Sequence, residues 1–412
     1  MSTPPAPVPS LPSWPYCGHG ADPATDPVGC PGIHAPGHTA CLAHLNDTDR
    51  DAYLTTLAPG SDIDHRGTPF TAPLLQVLLQ VLHDPTTQKP RFGTAQFDGA
   101  QFSDTAHFGR AQFFGVADFW GARFTRGAWF VKAQFSDTAF FREARFSDTA
   151  DFGEARFSGA AHFVDAWISG TADFGEAWFS DTAQFELALF CGATRFDGAR
   201  FSSAAWFDGT QFFDAADFGR AQFSDIADFE QSKFSQDVHF GQAQFAVMSW
   251  FGPLVCAGAV DLSGAVFDVP VTLEIAAGAV RCERTRWEST ATLRLRYATA
   301  DLSHAVLSSP VAVTAHPAPF TSLGWAVDES LLAGAGAKSS VRVVSVRGVD
   351  AAHLVLTDTD LTDCLFSGAF HLDQLRLEGR CTFALTPAGL HRRHCIWPYW
   401  WTRRRTLAEE HH

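Results

Sequence analysis

The chain has 412 residues, a formal net charge of -15 and a lopsided aromatic set of 38 Phe against 4 Tyr. That charge excludes generic binding to nucleic-acid phosphates, which needs a surplus of Lys and Arg. It leaves a protein partner, or mimicry of a nucleic acid, and the single-aromatic bias implies an internal repeat.

Residues 1–16 are Pro-rich, with neither a basic region nor an apolar run, and read as a disordered tail and not a signal peptide. Residues 17–90 combine a Cys/His cluster with helical segments. Cys17, His19, Cys30, His34, His38, Cys41 and His44 crowd a stretch too poor in apolar residues to build its own core. Thiolate and imidazole suit a tetrahedral zinc, so Cys17, Cys30, Cys41 and His44 are the expected ligands of a structural Cys3His site. A catalytic zinc would need an open position and a base, and no Glu stands nearby. Asp47 to Leu57 reads as helix. Pro73 to His83, with Leu74, Leu75, Leu78, Leu79 and Leu82, reads as an amphipathic helix that caps the repeats.

From Phe92 to Phe251 a large apolar residue recurs at 30 positions, of which 29 are Phe and the other is Ile168. After the first three the spacing alternates between five and six residues, and Ala stands two residues earlier at 24 of the 30. An eleven-residue period also suits a helical coiled coil. The Ala-x-Phe pattern has period two, however, and Gly and Ser-Asp-Thr turns punctuate nearly every unit. The reading is a solenoid of very short strands with stacked Phe inside.

This pattern resembles the pentapeptide-repeat family, in the Phe-rich form common in actinobacteria. The resemblance implies an all-β, right-handed quadrilateral β-helix in which the central residue and the one two before it face inward. Here every second unit has six residues, which gives about 22 per coil. The coils are expected over 91–313, with a loop or insertion at 314–340, degenerate coils over 341–390 and a basic-aromatic segment at 391–412. Gly334 to Ser340 resembles a phosphate loop but has Ala337 where Gly should precede the Lys. No other enzyme fingerprint occurs, so the chain is expected not to be an enzyme.

The residue before each central Phe should face outward. Trp129, Trp167, Trp178, Trp206 and Trp250 are therefore the expected partner-binding residues of a non-enzymatic protein-binding scaffold. Some members of the family mimic duplex DNA and protect DNA gyrase from inhibitors. Residues 92–251 hold 21 Asp and Glu against 11 Lys and Arg, which makes that the second function class. No stretch of 18 apolar residues is present. Nine scattered Cys argue for a reducing, cytoplasmic setting.

Overall fold

The structure is a computed structural model that describes residues 12–247, 250–332, 339–385, 390–393, 397–400 and 405–406. The fold is all-β, a right-handed solenoid of about 22 residues per turn, with two α-helices. The chain divides into two compact units, residues 1–193 and 194–412.

In the first unit each repeat contributes a strand of two residues, such as Ala150–Asp151 or Arg156–Phe157. The strands pair in parallel with those 22 residues away, Arg123 with Arg145 and Phe124 with Phe146. Backbone groups are thereby satisfied between coils: Phe130 N–H donates to Asp151 O and Phe152 N–H to Asp173 O, both at 2.7 Å. The Phe and the Ala two before it are buried, and identical rings stack coil on coil. Phe152 lies 4.8 Å from Phe130 and 5.0 Å from Phe174, parallel within 2°, and meets Phe141 and Phe163 edge-on.

The alternation of five and six residues is an alternation of corner types. A five-residue step, as from Phe152 to Phe157, holds a tight turn in which Ala155 N–H donates to Phe152 O and Glu154 has φ 55°. The acid before the Phe caps this turn. Asp151 Oδ1 accepts from Gly153 N–H at 2.8 Å, and Asp118, Asp173 and Asp217 do the same two residues on. In the six-residue steps Asp137, Asp148 and Asp181 accept from the next backbone N–H. Much of the chain's acidity is thus engaged in making corners.

The coils begin earlier than the Phe pattern predicts. Ile63 pairs with Ala95 and Pro69 with Gln101, so the first coil starts at 63 and not at 91. Its third side is not a strand but helix α2, Ala72–Val81, which buries Leu75 and Leu78 and lies against Ala106–His107. The helix therefore caps one strand edge from within the first coil. Helix α1, Asp47–Leu54, is capped by Asn46, whose side chain accepts from Asp49 N–H. Residues 12–16 of the predicted disordered tail are placed: Trp14 Nε1 donates to Pro31 O at 2.8 Å and Tyr16 bridges to Ile33. Residues 1–11 lie outside the described residues.

His65 takes the ladder position of the first coil, buried against Tyr53, Phe70 and Phe97. Burial pulls its pKa from 6.5 to about 4. The folded state then binds fewer protons than the unfolded chain, so this contribution is whole above pH 6.5 and is lost as the pH falls toward 4. Asp98, raised to about 6 chiefly by burial, acts in the opposite sense. Comparing His65→Phe with the parent isolates the first effect. Urea denaturation should show the variant losing less stability between about pH 7 and pH 5; an equal loss in both removes His65 as the cause.

The second unit keeps the 22-residue step from Thr194 to Phe267, with Phe223 over Phe245 and Phe245 over Phe267. The step then shortens to 20, with Trp287 on Phe267 and Leu307 on Trp287. Turn-capping acids persist at Asp261 and Asp301, but Trp250–Asp261 and Val271–Arg281 run on as strands of 12 and 11 residues in place of two-residue pairs. The predicted insertion, described at 314–332 and 339–340, is an ordered excursion. It holds a two-residue antiparallel pair, Thr321–Ser322 with Trp325–Ala326, and a 3-10 turn at Ser330–Leu332. Phe320, Val327 and Leu332 pack on Val255 and Ala276, and the buried Arg296 pairs with Glu329 at 2.8 Å. Degenerate coils resume with Arg342–Ser345 and Leu354–Thr357. The side chains of the predicted basic-aromatic segment 391–412 lie outside the described residues.

Candidate metal centre and interaction faces

Cys17 and Cys30 face each other across a short ladder. Cys17 N–H donates to Gly32 O, Gly18 N–H to Cys30 O, and Cys30 N–H to His19 O. The excursion between them turns back at Gly29, where φ is 63° and a Cβ would meet Ala21 N at 2.6 Å. Cys41 and His44 come together in one turn, closed by His44 N–H to Cys41 O at 2.9 Å. Gly32 lets the two halves approach, because a Cβ there would stand 2.8 Å from Cys41 Sγ.

The four expected ligand atoms converge within 4.8 Å of one another. Cys30 and Cys41 sulfurs are 3.7 Å apart, and His44 Nδ1 lies 3.5 Å from Cys17 Sγ and 3.3 Å from Cys41 Sγ. A tetrahedral ion with bonds of about 2.3 Å to sulfur and about 2.0 Å to nitrogen requires edges of about 3.8 and 3.5 Å. The donor set fits a metal ion. The hydrogen bond from Cys41 lowers the Cys30 pKa to about 5, and the same contact, with burial, pushes the Cys41 thiol well up. One thiolate thus forms readily, and a cation would favour the second. His34, His38 and His19 are not in the group. His34 Nε2 bonds Tyr16 O, His38 approaches Asp49, and His19 stacks on His44 at 4.1 Å. The cluster is fastened to the first coil by Ile33 N–H donating to Arg66 O at 2.8 Å.

The five expected Trp residues divide. Trp167 and Trp178 are 37% and 42% exposed, on different sheets of the first unit. Arg156 precedes Trp178 in register, its guanidinium 5.9 Å from the ring. Trp129 and Trp206 are only half-buried, in register with Asp151 and Asp228. The Trp250 side chain lies outside the described residues. Reading only the residue before each Phe missed Trp120, 46% exposed at a corner, and Trp325, 80% exposed on the excursion of the second unit. A scan of the residue after each Phe finds Trp120.

Two-residue strands, in-register stacking and an aromatic ladder define a β-solenoid repeat protein. The family model described as pentapeptide repeats (9 copies) matches residues 119–167, 130–178, 141–188 and 207–252. The matched residues carry the repeats of the pentapeptide-repeat family. No curated protein and no solved structure matches it. Among the described residues no helix is long and apolar enough to cross a membrane.

Proposed function

We propose that the chain is a non-enzymatic scaffold that binds a protein partner through the outward faces of its solenoid, with a structural zinc holding its N-terminal module. The exposure of Trp167 and Trp178 on two-residue strands pinned by coil-to-coil hydrogen bonds carries this reading. A side chain on so fixed a backbone loses little entropy on binding, and a buried Trp at an interface contributes about 2 kcal/mol or more. Cys17, Cys30, Cys41 and His44 would fill all four positions of a zinc ion, which suits a structural role.

The double variant Trp167→Ser/Trp178→Ser should keep the parent melting temperature, because both rings are exposed. Capture of the native partner from cytoplasmic extract should fall about tenfold or more. Unchanged capture would reject these faces. Gyrase supercoiling assayed with and without the protein tests DNA mimicry, and loss of an effect on changing Asp151, Asp173 and Asp217 to Asn would replace the scaffold reading. Turn capping by these acids supports the scaffold instead.

A further inference from the structure

Arg110, Lys132 and Glu154 hold the same corner of three successive coils, each on a left-handed backbone with φ 60°, 58° and 55°. Lys132 N–H donates to Gly153 O at 2.9 Å and Glu154 N–H to Gly175 O at 2.8 Å, which fixes these corners one coil, about 4.8 Å, apart. Gln134 and Arg156 stand in register on the adjoining side, and Lys89 enters from the antiparallel turn of the first coil, opposite Asp84. Together Lys89, Arg110, Lys132, Gln134, Glu154 and Arg156 line a cavity of about 300 Å3. Four cations thus share one cavity with a single carboxylate, on a chain of charge -15. Glu154 reaches Lys132 at 3.2 Å. Gln134 Oε1 accepts from Gln112 Nε2 at 2.8 Å, which leaves the Gln134 NH2 to donate. The other acids of these elements do not cancel the excess. Asp84 pairs with Arg91 at 2.8 Å, Asp151 caps the Gly153 N–H, and Glu176 stands one coil further on. Cations held side by side on neighbouring coils repel, and an anion between them relieves that cost.

We infer that this corner binds the phosphoryl group of a small phosphate compound. Five donor-bearing side chains converge on the cavity from the corner, the adjoining strands and the first-coil turn. That is more than the two oxygens of one carboxylate can use, whereas a tetrahedral phosphate offers oxygens in every direction. The guanidinium forks of Arg110 and Arg156 match pairs of those oxygens, and Lys89 and Lys132 add point charges. The volume is at the small end for ligand sites, which suits one phosphoryl group with its substituent and not a nucleic-acid strand. Glu154 competes with the anion for Lys132 and so holds the affinity down. The inference is separate from the Trp faces and does not depend on the scaffold reading.

The test titrates the full chain with inorganic phosphate and, separately, with glycerol phosphate, each followed by phosphorus NMR line broadening at low salt. Binding should weaken about tenfold or more in Arg110→Gln/Arg156→Gln, whose side chains are exposed, so that the fold persists. The charge-matched Arg123→Gln/Arg145→Gln, on another sheet, should bind as the parent does. Glu154→Gln should tighten binding about threefold or more, and Glu176→Gln, with the same charge change one coil away, should not. Binding of either compound with this pattern supports the site, and the tighter of the two identifies free phosphate or an ester as its source. No broadening with the parent, equal loss in both Arg pairs, or equal gain in both Glu variants overturns the inference. Displacement of phosphate by an equal concentration of succinate also overturns it, in favour of a carboxylate site.

Discussion

Phe152→Ala should destabilise the first unit by about 3–5 kcal/mol, the cost of emptying a ring-sized site in a rigid core. Phe152 is fully buried, with parallel neighbours in the coils on both sides and edge-on neighbours within its own layers. The backbone cannot collapse into the gap, because Phe152 N–H is fixed to Asp173 O and Phe130 N–H to Asp151 O. Phe140→Ala supplies the contrast. Phe140 also stacks, on His162 at 4.9 Å, but it faces outward and is only half-buried. Its truncation should cost about 1 kcal/mol or less. Urea denaturation of both variants measures the difference, and near-equal losses would contradict an interior ladder.

Purified protein that has never met a chelator should carry about one zinc per chain, lost in Cys30→Ser and in Cys41→Ser. Zinc binding by small Cys/His modules contributes on the order of 10 kcal/mol to their folding. Residues 17–45 have few buried apolar side chains beyond Val28, Leu42 and Leu45, so removal of the metal should release them. Amide exchange there should accelerate by about 100-fold or more, whereas the Phe ladder from Phe119 to Phe179 should exchange as before. Elemental analysis finding no metal, or exchange unaltered by chelation, would dismiss the site.

The repeat was legible because its signal is redundant. One misplaced Phe among 30 positions does not disturb the register, and a 22-residue step follows from adding two fives and two sixes. The first coil was not legible, because Ile63-Asp64-His65 puts His where the pattern has Phe and a helix where it has a strand. The four metal-site residues could be picked out because their chemistry restricts the choice. How Cys17 meets Cys30 and Cys41 could not, since that depends on the left-handed backbone at Gly18 and Gly29 and on the missing Cβ of Gly32. The acidic balance was legible as a total but not by role. It carried no sign that Asp118, Asp151, Asp173 and Asp217 each cap a turn through one carboxylate oxygen.

The corner alternation has a geometric consequence. Eleven residues make half a turn, so sequence length along the repeats is also an angle. Trp167 and Trp178, eleven apart, lie on different sheets for this reason, whereas Arg145 and Trp167, 22 apart, are in register. Gain or loss of one eleven-residue unit keeps the succession of Phe and Ala intact, so the core tolerates it. Every outward residue beyond that point, however, swings to the far side of the coil. A recognition surface assembled from several coils is therefore inherited only in whole turns, and repeat number acts on this protein as a rotary setting as much as a measure of length.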